Sequence, residues 1–467
     1  MKIYNTLTKS IQSLQPLHEQ KVSFYTCGPT VYDDTHIGHM RTFVGNDIIR
    51  RVLMYNRYDV NHVMNITDVG HLTSDEDAGE DKMEKGAKKA GKTVYEVAEY
   101  YTGRFFETMD ALHILRPNTV CKATEHIPQM ISLIEKLQEK GFAYETDEAL
   151  YFDVSKFPSY GTLSGQKIEQ KLKGVREEVY QDSQKRNAAD FALWFKRKGR
   201  FADHSMHWES PWGDGFPGWH IECSAMSMHY LGETIEIHTG GIDHIPVHHE
   251  NEIAQSEAAT GKQFVRYWMH HHHLHVDGEK MSKSKNNFYT LDHVKAEGIH
   301  PLSLRLLFMQ THYRQPMNFT WAAARGANEA YRRLLETLFS LRKQTARTML
   351  SEDKLSMIDH YQLKFKLAIE NDLQMSQALA VMWDMLKSNI TSEDKLDLLY
   401  SFDEVLGLGL REAQEEEVPA EIKTLAEMRK QYREEKKFDE ADAVRKELKS
   451  KGYSIEDTGN EYRVKKM

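Results

Sequence analysis

The chain has 467 residues, 40% of them apolar, with three cysteines and a formal net charge of −9. This length suffices for roughly three domains of about 150 residues each. No stretch approaches the roughly 18 consecutive apolar residues of a membrane helix, and no secretory signal is evident. Three scattered cysteines argue against a disulfide framework, so we expect a reduced, cytosolic protein without membrane contacts. The negative charge argues against non-specific nucleic-acid binding but allows a local basic face.

The first segment has the pattern of alternating strands and helices. Residues 22–26 predict a strand, the apolar spacing of Ile37–Tyr55 predicts a helix, and Asp59–Ile66 predicts a second strand. This order implies a parallel sheet whose ligand site lies at the carboxyl ends of its strands. We therefore expect an α/β fold with a Rossmann-type parallel-sheet catalytic domain and a ligand site directly after the first strand.

A short motif, His36-Ile37-Gly38-His39, opens the predicted helix. The two histidines are three residues apart and share one helix face. Gly38 lets a flat base approach the backbone closely, and the helix N-terminus favours phosphate through its free N–H groups. Taken alone, the motif is equally typical of histidines that merely cap a helix.

The pattern changes several times along the rest of the chain. We predict a polar, mobile loop at 73–92, hairpin-like strands in the middle, a return of the α/β pattern, and finally helices with few glycines. The predicted domains are 1–127 and 214–290 as the two halves of the catalytic domain, 128–213 as an insertion, 291–321 as a linker, 322–411 as a helical bundle, and 412–467 as an acidic linker with a small C-terminal unit.

A second motif, Lys280-Met281-Ser282-Lys283-Ser284, lies far along the chain. It follows a turn signal, so its lysines can close over a triphosphate and release it again. When a carboxylate attacks the α-phosphate of ATP, negative charge builds on the phosphoryl oxygens, so catalysis needs positioning and positive charge. We expect both motifs to supply that charge. A solvated surface loop is the alternative for this motif alone.

Taken together and in this order, the two motifs resemble the signature of class I aminoacyl-tRNA synthetases. Further blocks are similar to the cysteinyl-tRNA synthetase family, over essentially the full chain. They are CGPTVY at 27–32, NITD at 65–68, ATEHI at 123–127, GWHIECSAM at 218–226, HHENEIAQ at 248–255 and DEADAVR at 439–445. The resemblance implies an ATP-dependent ligase, with a C-terminal anticodon-binding unit, that activates L-cysteine as cysteinyl-adenylate and transfers it to tRNA-Cys.

Two other functions remain open at this level. The cysteine ligase of mycothiol biosynthesis is similar to this family, but it lacks an anticodon-binding C-terminal region. A non-catalytic relative could bind tRNA or a protein partner without activating an amino acid. The residues 412–467 count against the first alternative, and the intact pair of motifs counts against the second.

The resemblance implies that one Zn²⁺ per subunit is held by Cys27, Cys223, His248 and Glu252. His248 and Glu252 are four residues apart on a predicted helix, so their side chains share a face. Two thiolates, an imidazole and a carboxylate suit zinc, and a substrate thiolate can join them. His249 is a local rival to His248, and the family motif rather than periodicity decides between them.

Zinc would also explain specificity, because an apolar pocket separates cysteine from serine by only a few kcal/mol. We therefore expect no editing domain. For Trp219, an ordinary place in the core is the alternative to a pocket role. The resemblance implies the following further sites: catalytic His36, His39, Lys280 and Lys283; ATP with Mg²⁺ at His36, Gly38, His39, Gly240, Gly241, Asp243 and Lys283; and the amino acid at Thr67, Trp219 and His238.

Two departures from the family pattern flank the second motif. Lys285 and Asn286 follow it in place of the usual leucine and glycine. A histidine run at 270–273, with His275, precedes it, and we expect a partly protonated strand end there.

The C-terminal unit has the pattern of a tRNA contact. Residues 427–450 predict one helix with an apolar face, and 453–464 predict a hairpin that offers Tyr462 and Arg463 to splayed bases. A charged surface helix without a ligand is the alternative. The apolar face consists of Phe438, Ala441, Val444 and Leu448. We expect the protein to be a monomer.

Overall fold

The computed structural model describes residues 1–70, 72, 81–166, 182–282, 285, 287–344, 351–415, 417–458 and 461–466. The chain divides into two compact units, Met1–Arg411 and Glu412–Met467. Within the described ranges, no helix is both long enough and apolar enough to span a lipid bilayer.

The chain alternates strands and helices in its first half and is mainly helical in its second. The strands are β1 Lys2–Asn5, β2 Ser10–Ser13, β3 Lys21–Thr26, β4 Asp59–Ile66, β5 Thr119–Lys122, β6 Ala143–Glu145, β7 Ala149–Phe152, β8 Phe191–Lys196, β9 Gly215–Pro217, β10 Ile235–Gly241, β11 Val265–His271, β12 Leu274–Val276, β13 Glu279–Lys280, β14 Met317–Phe319, β15 Tyr453–Thr458 and β16 Glu461–Lys466. The helices are α1 Ile37–Tyr55, α2 Lys82–Ala90, α3 Val94–Ala111, α4 Ile127–Glu139, α5 Trp219–Leu231, α6 His248–Thr260, α7 Leu291–Ala296, α8 Pro301–Met309, α9 Trp321–Arg342, α10 Glu352–Glu370, α11 Met375–Lys387, α12 Ser392–Leu406, α13 Ala420–Glu434 and α14 Phe438–Ser450.

A five-stranded parallel sheet, in the order β11-β10-β3-β4-β5, forms the centre of the first unit. From β3 the chain passes through α1 to β4 and then β5 on one side, whereas β10 and β11 lie on the other. The direction of winding therefore changes between β3 and β10, where parallel sheets open a ligand crevice at their carboxyl ends. The predicted Rossmann-type α/β fold is confirmed, and α1 and β4 have the predicted bounds.

The sheet is covered by helices with little amphipathic character. Helix α6 buries polar side chains on every side, and each needs a hydrogen-bond partner in place of water. Glu250, for example, accepts from the backbone N–H groups of Gly161 and Ser164 at 2.8 Å each. Gln255 donates to the carbonyl oxygen of His220 at 2.5 Å. These bonds fix the helix that carries two of the predicted metal ligands.

The region after α4 forms an antiparallel sheet in the order β6-β7-β8-β9. Strand β7 lies where the hairpin-like pattern was predicted. The mobile loop predicted at 73–92 is wrong from residue 82 onward, because α2 begins there with Asp81 as its N-cap. Residues 73–80 lie outside the described ranges.

Helix α1 carries buried charged residues as well as apolar ones. Arg41 lies two residues after the histidine motif and is almost fully buried. Its guanidinium donates four hydrogen bonds of 2.7–3.1 Å to the carbonyl oxygens of His272, His273, His312 and Gln315. The start of α1 is therefore tied to the chain segment that leads from β11 towards the lysine motif.

Six residues after Arg41, Asp47 of α1 joins a buried ion pair. Its carboxylate accepts from Arg305 of α8 at 2.6 Å and from Arg51 at 2.7 Å, and from the backbone N–H of Leu115 at 2.9 Å. Arg305 also donates to the carbonyl oxygen of Leu406 at 2.6 Å, at the end of α12. These bonds join α1 to the helices that follow the sheet.

The second unit pairs α13 and α14 with the β15–β16 hairpin over a small apolar core. The single helix predicted over 427–450 is wrong, because the chain leaves helical geometry after α13 and Lys436 has a φ of 60°. Phe438, predicted on the apolar face, is 61% exposed. The remaining members of that face, Ala441, Val444 and Leu448, are buried as predicted.

We predict that Arg305→Met destabilises the first unit. Removing one partner of a buried ion pair leaves the other charge uncompensated, which lowers the free energy of unfolding by about 3–5 kcal/mol. Denaturant unfolding of the variant measures this loss. Arg325→Met is the matched control, because Arg325 pairs with Glu297 at 3.3 Å on the surface and should change stability by less than about 1 kcal/mol.

The pair also gives the first unit a defined pH dependence. Burial raises the pKa of Asp47, but the charges of Arg305 and Arg51 lower it by more, below its ordinary value. A lowered carboxyl pKa contributes stability that is complete above the unfolded value and is lost as pH falls through the folded one. The difference between wild type and Arg305→Met should therefore shrink in acid. Equal effects of the Arg305 and Arg325 substitutions would contradict this account.

Candidate active site

The two sequence motifs meet in space at the N-terminus of α1. The backbone N–H of Ile37 donates to the carbonyl oxygen of Tyr289 at 2.9 Å, and His36 pairs with Thr290 as a β-bridge. A Cβ atom on Gly38 would lie 2.6 Å from the terminal methyl of Met281. The lysine motif therefore packs against the histidine motif at Gly38, where a larger residue would also crowd the ring of His36.

His36 and His39 stack on each other with their ring centroids 3.6 Å apart. Nδ1 of His36 caps α1 by accepting from the backbone N–H groups of Gly38 at 3.1 Å and His39 at 3.2 Å. Because Nδ1 is an acceptor, the proton of the neutral ring lies on Nε2.

Both rings of the motif are neutral at physiological pH. Burial, followed by the proximity of His39, lowers the pKa of His36 to about 2. Burial also lowers the pKa of His39 to about 4, although Asp243 opposes the shift. The expectation that the histidine motif supplies positive charge is therefore wrong. The imidazoles can donate and accept hydrogen bonds, and positive charge must come from the lysines and the helix N-terminus.

The lysine motif begins on the exposed strand β13, which ends with Lys280. The side chain of Asn287 closes the turn, accepting from the backbone N–H of Ser282 at 2.7 Å and donating to the carbonyl oxygen of Lys280 at 3.3 Å. Lys285 pairs with Glu279 at 2.9 Å. Lys283 and Asn286 lie outside the described residues.

A cleft of about 340 Å³ lies at the carboxyl ends of β3 and β10. This volume falls in the range of small-molecule sites. Glu252 and His238 are fully buried behind it. Of the residues predicted from the sequence, the cleft is lined by Cys27, His36, His39, Thr67, Trp219, Cys223, Gly240, Gly241, Asp243 and His248.

Four residues from three distant parts of the chain converge at the base of this cleft. Sγ of Cys27, at the end of β3, lies 3.7 Å from Sγ of Cys223 on α5 and 3.6 Å from Nε2 of His248 on α6. Oε1 of Glu252 lies 4.0 Å from that Cys27 sulfur and 3.0 Å from Nε2 of His248. These four ligand atoms all lie within 4.8 Å of one another.

The spacing fits a tetrahedral metal ion. Two sulfurs bound to one zinc are about 3.8 Å apart, and a bound sulfur and nitrogen about 3.6 Å apart, from Zn–S and Zn–N bonds of about 2.3 and 2.05 Å. The contacts of Cys27 with Cys223 and His248 match these lengths. The donor atoms present therefore fit Zn²⁺ in both type and spacing.

The protonation of the cluster also favours a cation. Burial raises the pKa of Cys223, but the neighbouring Cys27 and His248 lower it by more, to about 6. Burial likewise opposes ionisation of Glu252, yet His238 and His248 bring its pKa to about 2. A thiolate and a carboxylate are thus held side by side, and His248 balances them, because burial lowers its pKa but Glu252 and Cys223 raise it by more, to about 10. A bound cation would take the place of the His248 proton.

A second set of donors shares two of these residues. Cys27, Glu252, His238 and His249 also have ligand atoms within 4.8 Å of one another. Nε2 of His249 lies 3.6 Å from the Cys27 sulfur, while its Nδ1 bonds Nε2 of His270 at 2.8 Å. His249 therefore remains a rival ligand to His248 on geometry alone.

The first residues of the histidine run are buried and neutral. His270 and His271 lie at the end of β11, and Nε2 of His271 bonds the side-chain oxygen of Asn46 at 2.8 Å. Burial lowers the pKa of His270 well below its ordinary value and that of His271 to about 3. Burial also lowers the pKa of His272. The expected partial protonation is therefore wrong for His270 and His271, and it stays a prediction for His273 and His275.

Gly240 and Gly241 end β10, Asp243 follows them, and all three line the cleft, as does His39. A Cβ atom on Gly240 would lie 2.5 Å from the ring of His249 and 2.6 Å from that of His244. Asp243 is held ionised: burial raises its pKa, but His244 and other neighbours lower it below its ordinary value. The close packing of two imidazoles explains why glycine occupies position 240.

Two site residues escaped the sequence analysis although both lie in its quoted motifs. Nδ1 of His220 bonds Nδ1 of His248 at 3.0 Å, so it holds that ring with Nε2 towards the cysteines. The carboxylate of Glu222 accepts from the hydroxyl of Thr67 at 2.9 Å. In the GWHIEC block, Glu222 is adjacent to Cys223 and His220 lies three residues before it. This proximity to a predicted metal ligand was the sequence signal that could have identified them.

Comparisons with known proteins agree with this geometry. A family described as tRNA synthetases class I (C) catalytic domain matches residues 13–329. The chain is 43% identical to the cysteine–tRNA ligase of Treponema denticola, over 100% of both chains. It is 42% identical to that of Thermus thermophilus, over 98% of this chain and 97% of the relative.

A solved structure shares the fold. The methionyl-tRNA synthetase of Mycobacterium tuberculosis, in complex with methionyl-adenylate, has a TM-score of 0.56 at 16% identity, over 83% of this chain and 90% of that one. This likeness concerns the architecture alone. The full-length identity to the ligases and the matched catalytic domain, over the cleft described above, show that the chain belongs to the cysteine–tRNA ligase family of class I tRNA synthetases.

Proposed function

We propose that this protein activates L-cysteine with ATP and transfers the cysteinyl group to tRNA-Cys. One observation carries the proposal: the cleft lined by the histidine motif, against which Met281 of the lysine motif packs at Gly38, also contains a cluster of two cysteines, a histidine and a glutamate. A carboxylate oxygen of cysteine attacks the α-phosphorus of ATP. The bond between that phosphorus and the oxygen that bridges to the β-phosphate breaks, and pyrophosphate leaves with the electron pair. A hydroxyl oxygen of the tRNA then attacks the acyl carbon of cysteinyl-adenylate, the bond to the phosphate oxygen breaks, AMP leaves, and the hydroxyl proton is released.

The residues around the cleft suit the first step. Nε2–H of His36 can donate to phosphate oxygens without bringing a proton that must be removed, and the dipole of α1 favours negative charge near its N-terminus. We propose that Lys280 and Lys283 supply the positive charge that stabilises the departing pyrophosphate. The carboxylate of Asp243 accepts hydrogen bonds, so it suits ribose hydroxyls and not phosphate.

Cys27, Cys223, His248 and Glu252 are the proposed zinc ligands. His220 orients His248, and Trp219 stacks on the His248 ring with centroids 4.1 Å apart, closing the cleft above the cluster. When bound, zinc would accept a substrate thiolate as a further ligand, which a serine hydroxyl cannot replace at neutral pH.

The second unit contains a groove suited to single-stranded RNA. Phe438 exposes its ring beside Arg433 and Arg445, along a cavity of about 590 Å³. Arg429 is held at its floor by two bonds to Asp457, at 2.7 and 3.0 Å. Aromatic rings stack on unpaired bases and arginines meet phosphates, so we propose that this groove contacts the anticodon loop.

Several finer expectations from the sequence stay predictions. They concern the domain boundaries within 1–411, the monomeric state, the cytosolic location, and Mg²⁺ as the partner of ATP. The side chain of Arg463, predicted to contact bases, lies outside the described side chains, whereas the hydroxyl of Tyr462 donates to Glu427 at 2.7 Å.

The metal assignment is tested by replacing single ligands. Purified protein should contain about one zinc per chain, and Cys223→Ser and His248→Ala should each lose it. We expect His249→Ala to keep its zinc, because the set without His249 supplies two soft thiolates and the rival set only one. Zinc content by elemental analysis and the dissociation constant for cysteine are the measurements.

Cys121→Ser is the control for these variants. Cys121 is buried and contacts the carbonyl oxygen of Met64 at 3.6 Å, outside both donor sets. It should keep both zinc and cysteine binding. Zinc loss in His249→Ala together with retention in His248→Ala would move the site to the rival set.

The lysine motif is tested through the rate of adenylate formation. Lys283→Ala should lower that rate by about 10²-fold, or roughly 3 kcal/mol, with little change in cysteine affinity, because its charge acts on the transition state. Lys285→Ala is the matched control, since Lys285 forms an exposed pair with Glu279 and should alter the rate little. Single-turnover kinetics measure both variants. A normal rate in Lys283→Ala would refute a catalytic role for that residue.

The groove of the second unit is tested by Phe438→Ala in the full chain. Loss of a stacking ring should raise the KM for tRNA by about tenfold or more, while cysteine-dependent pyrophosphate exchange stays unchanged. Met428→Ala is the control, because Met428 is 40% exposed on α13 but does not line the groove. Equal aminoacylation by both variants would remove Phe438 from the tRNA interface.

A further inference from the structure

Glu222 is a fully buried carboxyl group that the proposed chemistry does not use. It lies on the first turn of α5, between the metal-ligating Cys223 and the helix start. Its Oε2 accepts from the Thr67 hydroxyl at 2.9 Å. Within the described residues, its Oε1 has no hydrogen-bond partner. A buried carboxyl with an unsatisfied oxygen is costly, so its presence calls for a functional reason.

The Thr67 hydroxyl is the link between Glu222 and the cleft. A hydroxyl has one donor and two acceptor sites. Its proton is committed to Glu222, and one lone pair accepts from the side-chain amide of Asn65 at 3.1 Å. Thr67 lines the cleft, so the second lone pair remains for a ligand there. That ligand group must be an N–H or O–H donor.

Asn65 connects the Thr67 hydroxyl to the chain segment that carries the metal ligand Cys27. Its side-chain oxygen accepts from the backbone N–H of Gly28 at 2.9 Å, next to the ligand Cys27. A Cβ atom on Gly28 would lie 1.6 Å from the Asn65 carbonyl oxygen, so the two backbones are in direct contact. The orientation of the Thr67 hydroxyl is thus fixed on one side by Asn65 and on the other by Glu222.

We propose that Glu222 is a positioning residue for the α-ammonium group of the substrate amino acid. By taking the Thr67 proton, it turns an oxygen lone pair towards the cleft and so makes Thr67 an acceptor for the ammonium group. The inference rests on the proposed function, because it takes cysteine as the ligand, and adds a separate device for recognising its amino group.

The test compares L-cysteine with 3-mercaptopropionate, which keeps the thiol and carboxylate but lacks the amino group. Dissociation constants are measured by titration calorimetry on the zinc-loaded full-length protein. Wild type should prefer cysteine. In Glu222→Leu, which removes the acceptor for the Thr67 proton, cysteine affinity should fall by about tenfold or more, while 3-mercaptopropionate affinity stays within about twofold. Thr67→Val should show the same selective loss, and Thr67→Ser, which keeps the hydroxyl, should restore the preference.

Asp68→Asn is the matched control. Asp68 is also a buried carboxyl, and it accepts a hydrogen bond from the hydroxyl of Thr124 at 2.7 Å. Neither of these two side chains forms a hydrogen bond with the Thr67 hydroxyl. Asp68→Asn should leave the preference for cysteine unchanged. If Glu222→Leu does not fold, Glu222→Asp withdraws the carboxyl by one methylene and should produce the same selective loss. Zinc content is measured in each variant to exclude loss of the metal.

The outcomes separate this inference from the proposed function. Equal weakening of both ligands in Glu222→Leu, or an unchanged preference, overturns the inference and leaves cysteine activation standing. A wild type that binds cysteine no better than 3-mercaptopropionate overturns the ammonium role of Thr67 and Glu222. A zinc-loaded wild type that neither binds cysteine nor supports cysteine-dependent pyrophosphate exchange overturns the proposed function itself.

Discussion

The burial of Arg41 constrains the whole catalytic centre. A guanidinium away from water must satisfy its donors, and here four carbonyl oxygens do so. Two of them belong to His272 and His273, in the segment from β11 to the lysine motif, and Arg41 itself follows His39 by two residues. The histidine motif and the segment that leads to the lysine motif are therefore held together by hydrogen bonds from the Arg41 side chain to main-chain carbonyl oxygens.

A second constraint comes from crowded acids at the base of the cleft. Like charges about 4 Å apart in a buried site cannot all ionise unless a cation lies between them. Burial and the contact with Cys223 raise the pKa of Cys27 well above its ordinary value, whereas Cys223 is the more acidic thiol. The pair thus shares one proton, and His248 balances Glu252. Such a cluster is poorly suited to stability alone, which is why its composition points to a metal.

The sequence predicts those elements whose pattern is local. Helix α1 and strand β4 were placed at their true ends because apolar residues recur with helical and strand periodicity. Helix α6 has no such stripe, and only its resemblance to a family motif identified its ligands. The contact between Cys27 and Cys223 joins residues 196 apart, a distance that no spacing rule covers.

The protonation states of the site histidines and the end of α13 could not be predicted from the sequence, for a related reason. The neutrality of His36 and His39 depends on burial by β10 and the segment after the lysine motif, which composition does not reveal. Lys436 ends a helix that its neighbours would continue, and it does so with a left-handed backbone that intrinsic propensity disfavours. Tertiary packing overrides local preference at each of these positions.

The first turn of α5 concentrates the recognition of the amino acid. Trp219 faces the cleft, Glu222 lies one turn later behind Thr67, and Cys223 joins the metal cluster. Successive residues on a helix point about 100° apart, so adjacent side chains can serve different groups of one ligand. In the proposed site, the thiol and the ammonium group of the amino acid are recognised by separate interactions. Because independent free energies add, their selectivities multiply, and no second site is needed to reject a molecule that lacks either group.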